Sequence, residues 1–218
     1  MPFSLESPPD AESCYDEHKS AAAGGGCLAG RFCDGTKADN RGRGAIMRLS
    51  DFLPSGHIML GVEWKSKKRV FETVAILFEN TCGMARETVF RMLIERERLG
   101  ATTLGGGSAI PHGRLGGISK PLCALMRLSA PIQYGAKDED GGRVQTLFFL
   151  AVPEDANDMH LALLGRISEM LTDGGFIAGL SKCADSQAAR DFIIRWESER
   201  PSQVDNDNDS DKKAIEAA

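Results

Sequence analysis

The sequence predicts an α/β fold. Short apolar runs alternate with segments whose apolar residues recur at helical spacing. One run, Val144 to Val152, is apolar almost throughout, as a central strand covered on both faces would be. Capping residues stand where one period gives way to the next.

In chain order, Ser50-Asp51-Phe52-Leu53 reads as a short helical turn stopped by Pro54, and His57 to Val62 as a strand. Ser66 caps a helix that places Val70, Phe71, Val74, Leu77 and Phe78 on one face. A second helix begins near Ala85, shows Val89, Phe90, Leu93 and Ile94, and ends at Gly100. Ala101 to His112 is an extended, glycine-rich passage. Leu122–Leu128 and Val144–Val152 are strands, the second ended by Pro153. Asp155 or Asp158 opens a helix through Leu161, Leu164, Ile167 and Leu171, and Phe176–Leu180 forms a short helical turn. Ser186 or Asp185 caps a last helix through Ala189, Phe192, Ile193 and Trp196.

This pattern occupies residues 46–197, expected as one compact domain. Residues 1–45 are rich in small and charged residues without period, and residues 198–218 are polar and acidic; both are expected to be disordered tails. Met47 stands where the pattern changes and is a candidate biological start. The 218 residues are 42% hydrophobic, enough for a packed core. Residues 46–197 carry 18 Lys/Arg against 18 Asp/Glu, so a general nucleic-acid binder is excluded and any positive site is local. No run of about 18 apolar residues exists, which excludes membrane insertion by a helix. The first ten residues lack a secretory pattern, and a cytoplasmic location is expected. Cys82, Cys123 and Cys183 read as reduced thiols in apolar or helical surroundings. Cys14-x3-His18 and Cys27-x5-Cys33 match no common zinc spacing, and neither a metal nor a cofactor is expected.

The chemistry points to His112. Flexible backbone precedes it at Gly105, Gly106 and Gly107, a rigid Pro111 comes directly before it, and Gly113 directly after. Such a histidine is presented rather than packed, and a neutral imidazole keeps one nitrogen free as a nucleophile. A phosphoryl-carrying histidine needs exposure, a fixed tautomer and donors for three oxygens. The glycine backbone could supply N–H groups. On loop chemistry alone, a glycine-rich turn before a histidine is more often structural. Arg96, near the end of the second helix, offers a planar fork that matches phosphate, although spacing alone favours a solvated basic residue. Arg98 points elsewhere on the helix. His160 lies in the first turn of the helix after Pro153, where anions are favoured; by itself it reads as a surface or half-buried histidine. His57 and His18 receive no role.

Arg96-Glu97-Arg98-Leu99-Gly100-Ala101-Thr102-Thr103-Leu104-Gly105-Gly106-Gly107-Ser108-Ala109-Ile110-Pro111-His112-Gly113 resembles the signature of the IIA component of the bacterial phosphotransferase system, mannitol/fructose and nitrogen-regulatory class. Val152-Pro153 followed by Met159-His160-Leu161-Ala162-Leu163-Leu164 resembles a second element of that family. The resemblance covers about residues 47–197. It implies a mixed sheet flanked by helices, His112 as the phosphorylated residue, and Arg96 and His160 completing its site. It also implies an HPr-like phosphocarrier as donor. Gly106 and Ser108 make this loop smaller than in relatives, and Ala162 stands where some relatives carry a second histidine.

Two subclasses compete: a sugar-specific IIA that hands its phosphoryl group to a IIB domain, and a nitrogen-regulatory IIA that acts on a target protein, still unknown, through its phosphorylation state. The chain shows no IIB-like cysteine motif, carrier domain or membrane segment, which favours the regulatory class. A plain interaction module with a structural histidine is the non-catalytic alternative. A nucleotide-binding loop at Gly105–Gly107 is disfavoured, because the P-loop lysine and the strand–loop–helix context are missing.

Overall fold

The computed structural model describes residues 48–135 and 142–200. The tail expected at 1–45, residues 201–218 of the tail expected at 198–218, the candidate start at Met47 and the cysteines and histidine of the amino-terminal segment lie outside the described residues.

A six-stranded mixed sheet organises the domain. Its strands are β1 (Ile58–Val62), β2 (Thr103–Gly105), β3 (Ser108–Ala109), β4 (His112–Arg114), β5 (Leu122–Gln133) and β6 (Arg143–Val152). The order is β1-β5-β6-β3-β2, with β4 also beside β6. β5 and β6 run antiparallel, β1 lies parallel to β5, and β3 and β4 both lie parallel to β6.

The near-continuous apolar run of β6 is explained by its place in the middle. Phe148, Leu150 and Val152 enter one core with α3 (Asn157–Thr172), α4 (Gly174–Leu180) and α5 (Ser186–Glu199). Phe149 and Ala151 enter the other with α1 (Lys67–Cys82) and α2 (Arg86–Arg98). Period-two alternation thus feeds two separate cores from one strand. α1 begins at the Ser66 cap, whose hydroxyl accepts from the Arg69 amide, and stops at left-handed Gly83. Asp185 caps α5 and Asp173 caps α4 through side-chain oxygens.

Three boundaries differ from expectation. α3 opens on Ala156 without a side-chain cap, rather than on Asp155 or Asp158; Asp158 sits inside the first turn, where its charge suits the helix dipole. β5 continues through Ser129-Ala130-Pro131 to Gln133, because a register shift after Arg127 accommodates a proline that has no N–H for the ladder. α5 runs to Glu199, two residues into the expected tail.

Candidate functional site

β4 lies along the last residues of β6, with His112 opposite Leu150 and Arg114 opposite Val152. Alternation sends the His112 side chain to the α3 side of the sheet and leaves Gly113 facing α2. There α2 comes so close that a Cβ on Gly113 would stand 2.0 Å from the Met92 sulfur. A side chain at 113 would have to displace Met92, and α2 rests directly on β4.

That contact brings Arg96 to His112. Arg96 Nε donates to His112 Nε2 at 3.1 Å, and Arg96 Nη1 donates to the Gly100 carbonyl at 3.1 Å. On the other side of the ring, His112 Nδ1 lies 2.7 Å from the Ile110 carbonyl. A carbonyl only accepts and a guanidinium only donates, so Nδ1 carries the proton and Nε2 presents its lone pair. Burial lowers the His112 pKa below its ordinary value, and the Arg96 charge adds to that, although the Ile110 hydrogen bond works against it. The imidazole is neutral near pH 7.

His160, in the first turn of α3, stacks at a tilt against His112 with ring centroids 5.4 Å apart. Its Nδ1 is buried without a hydrogen-bond partner. Burial again lowers its pKa first, followed by the neighbouring His112, Arg114 and Arg96. Arg114 was not singled out from the sequence. It follows His112 by two residues on one strand and so shares its face; that period was the available signal. Its guanidinium donates to the Glu154 carbonyl.

The structure thus gathers Arg96, His112, Gly113 and His160. It does not gather Gly105, Gly106 and Gly107. Gly105 pairs with Ser108 across the β2–β3 turn, and the Gly107 carbonyl accepts from Gln145 and Thr146. His112 sits opposite Leu150, so four residues of β6, about 13 Å, separate the glycine turn from it. These amides cannot donate to a group on His112. The glycines serve geometry instead: φ is +58° at Gly106 and +77° at Gly107, the positive values that a tight two-residue hairpin turn demands.

Just behind the site, Glu97 is buried and fully engaged. It accepts from Lys67 at 2.8 Å, from the Thr102 amide and hydroxyl, and from Tyr134. His57, given no role from the sequence, bonds the Cys123 carbonyl and the Thr81 hydroxyl as a core histidine. Among the described residues, no group of three or more His, Cys, Asp or Glu could hold a metal ion. Among them too, no helix is long and apolar enough to cross a membrane.

Known proteins are similar to this chain in sequence and fold. A nitrogen regulatory protein of Pseudomonas aeruginosa is 42% identical over 150 residues, which cover 68% of this chain and 96% of the relative. The crystal structure of the nitrogen regulatory protein IIA-Ntr from Neisseria meningitidis matches with a TM-score of 0.62 at 35% identity, over 66% of this chain and 97% of that one. The Escherichia coli mannitol IIA enzyme, solved in complex with phosphorylated mannitol IIB, shares the fold at 17% identity and a TM-score of 0.54, over 65% of this chain and 96% of that one. The sequence profile of the phosphoenolpyruvate-dependent sugar phosphotransferase system EIIA 2 family matches residues 51–196, and the chain belongs to that family as a IIA component with nitrogen regulatory proteins among its relatives.

Proposed function

We propose that this chain is a histidine phosphocarrier of a nitrogen-regulatory phosphotransferase system, with residues 46–197 as the working unit. It accepts a phosphoryl group on His112 from an HPr-like carrier and regulates partner proteins through its phosphorylation state. The observation that carries this reading is the His112 ring: one nitrogen pinned to its own backbone, the other lone pair aimed at a guanidinium.

In the proposed transfer, His112 Nε2 attacks the phosphorus of the donor's phosphohistidine in line. The new N–P bond forms as the old one breaks, and the donor imidazole leaves with its electron pair. No proton has to move, because Nδ1–H stays with the Ile110 carbonyl. Arg96 gives up the lone pair and turns its fork to the phosphoryl oxygens. The Arg114 and Arg96 charges that disfavour a charged His160 would be offset by the arriving negative charge. Leu99 and Leu161 support a macromolecular donor. They are 85% and 68% exposed and flank the site, Leu99 just after α2 and Leu161 beside His160.

Incubation with phosphoenolpyruvate and the general phosphotransferase proteins should add one acid-labile group of about 80 Da. His112→Ala should abolish that adduct. Persistent labelling of the variant would refute the assignment.

A further inference from the structure

At the other end of the sheet, three polar side chains form a row across an otherwise apolar face. Arg127 on β5 pairs with Thr146 on β6, and Thr146 pairs with Ser108 on β3. Alternation puts all three on the face that carries Leu125, Phe148 and Ile110. Two of them keep hydrogen-bonding atoms that are buried and without a partner: Arg127 Nε and Ser108 Oγ. Ser108 is only 1% exposed. Orphaned buried donors are costly, and one on a side chain that also borders open space, as Arg127 does, calls for an acceptor from outside.

Space for one exists. Arg127 lines a cleft of about 410 Å³ between the glycine turn and the α3–α4 corner, where the Thr172 and Ser181 hydroxyls donate inward to the Ser168 and Ala178 carbonyls. It also lines an adjoining cleft with Thr146, Gln145 and a second guanidinium, Arg143. Among the described residues, no aspartate or glutamate lines either cleft. Two cations and no carboxylate select an anion. Ser108 lines neither cleft; Arg127 and Arg143 come from neighbouring strands, and arginine's fork matches phosphate.

We propose that Arg127, Arg143 and Thr146 form a second binding site, distinct from His112, for the phosphate group of a small metabolite. The site lies about 13 Å along β6 from the His112 position, so a ligand there does not touch the imidazole.

Inorganic phosphate is the probe, titrated into the full chain and followed by the amide resonances of Gly106, Gly107, Ser108 and Thr146. Saturable shifts are expected at these amides, in the native chain and equally in His112→Ala. Arg127→Gln should weaken the binding at least about tenfold, the effect of losing a charge-assisted donor. Arg143→Gln changes an exposed side chain, so it should leave the fold intact and still weaken phosphate binding several-fold. Sulfate should compete and acetate should not. Binding that disappears in His112→Ala, binding untouched by both Arg127→Gln and Arg143→Gln, or no saturation in any chain would overturn the proposal. Acetate binding in place of phosphate would overturn the phosphate assignment.

Discussion

Arg96 and Glu97 are neighbours in the last turn of α2, and they have opposite fates. Glu97 points inward and has every oxygen occupied, by Lys67, Thr102 and Tyr134. Arg96 points to the rim and holds an imidazole by a single hydrogen bond. A helix turns about 100° per residue, so two adjacent positions can serve a core and a surface at once. The difference teaches how to separate structure from chemistry among charged residues. The closed network around Glu97 joins α1, α2 and the end of β5. The open pair around Arg96 leaves a lone pair that only a weak, displaceable contact covers.

The comparison can be broken most sharply at Glu97. Glu97→Ala should cost about 3–5 kcal/mol of stability, because it strands Lys67 and two buried hydroxyls. Urea unfolding of the pure variant measures it; a loss under about 1 kcal/mol would mean that the network is not structural. Arg96→Met should do the reverse. Phosphoryl transfer should slow about 10²–10³-fold, as when one transition-state donor is lost, while the unfolding midpoint stays close to that of the native chain. Stopped-flow transfer and a melt on the same sample separate the two, and unchanged kinetics would take Arg96 out of the site.

Gly113→Ala tests what holds the pair together. Its methyl would collide with Met92, cost about 1–3 kcal/mol and push α2 away from β4. Transfer should fall with it, and trimming Met92 to Ala in the same chain should restore part of the rate. If Gly113→Ala transfers normally, the packing does not set the Arg96–His112 distance.

The smallest effect is a pH dependence. Burial holds His57, His112 and His160 below the ordinary value of 6.5 in the folded state. The unfolded chain therefore binds more protons just below that pH. Stability present above pH 6.5 should drain away as pH falls from there through the lowered folded values. Denaturation at pH 7.5 and 5.5 measures the slope, and a flat result would remove the burial argument for all three rings.

Much of this molecule was legible in its residues. The alternation through β6, the Ser66 and Asp185 caps and the apolar faces of α1 and α5 follow from local rules, and the structure repeats them. The grouping of Arg96, His112 and His160 rested on a family resemblance, since their meeting depends on how α2 and α3 flank β4. The glycines misled for a related reason. Three of them before a histidine suggest a cradle, but strand pairing carries Gly106 and Gly107 to the opposite end of β6. Composition reports that backbone freedom is needed; only register reports where. Arg114 and the row from Arg127 to Ser108 escaped notice because strands far apart in sequence bring their members together.

The bond between the His112 ring and the Ile110 carbonyl spans only two residues of one chain. The choice of tautomer is therefore made within Ile110-Pro111-His112, by covalent neighbours whose middle member has a fixed φ. In the proposed transfer, docking, undocking and loading at the rim would rearrange every other contact of this imidazole without resetting which nitrogen is the nucleophile. Each partner of the proposed carrier would thus meet the same face of the same ring.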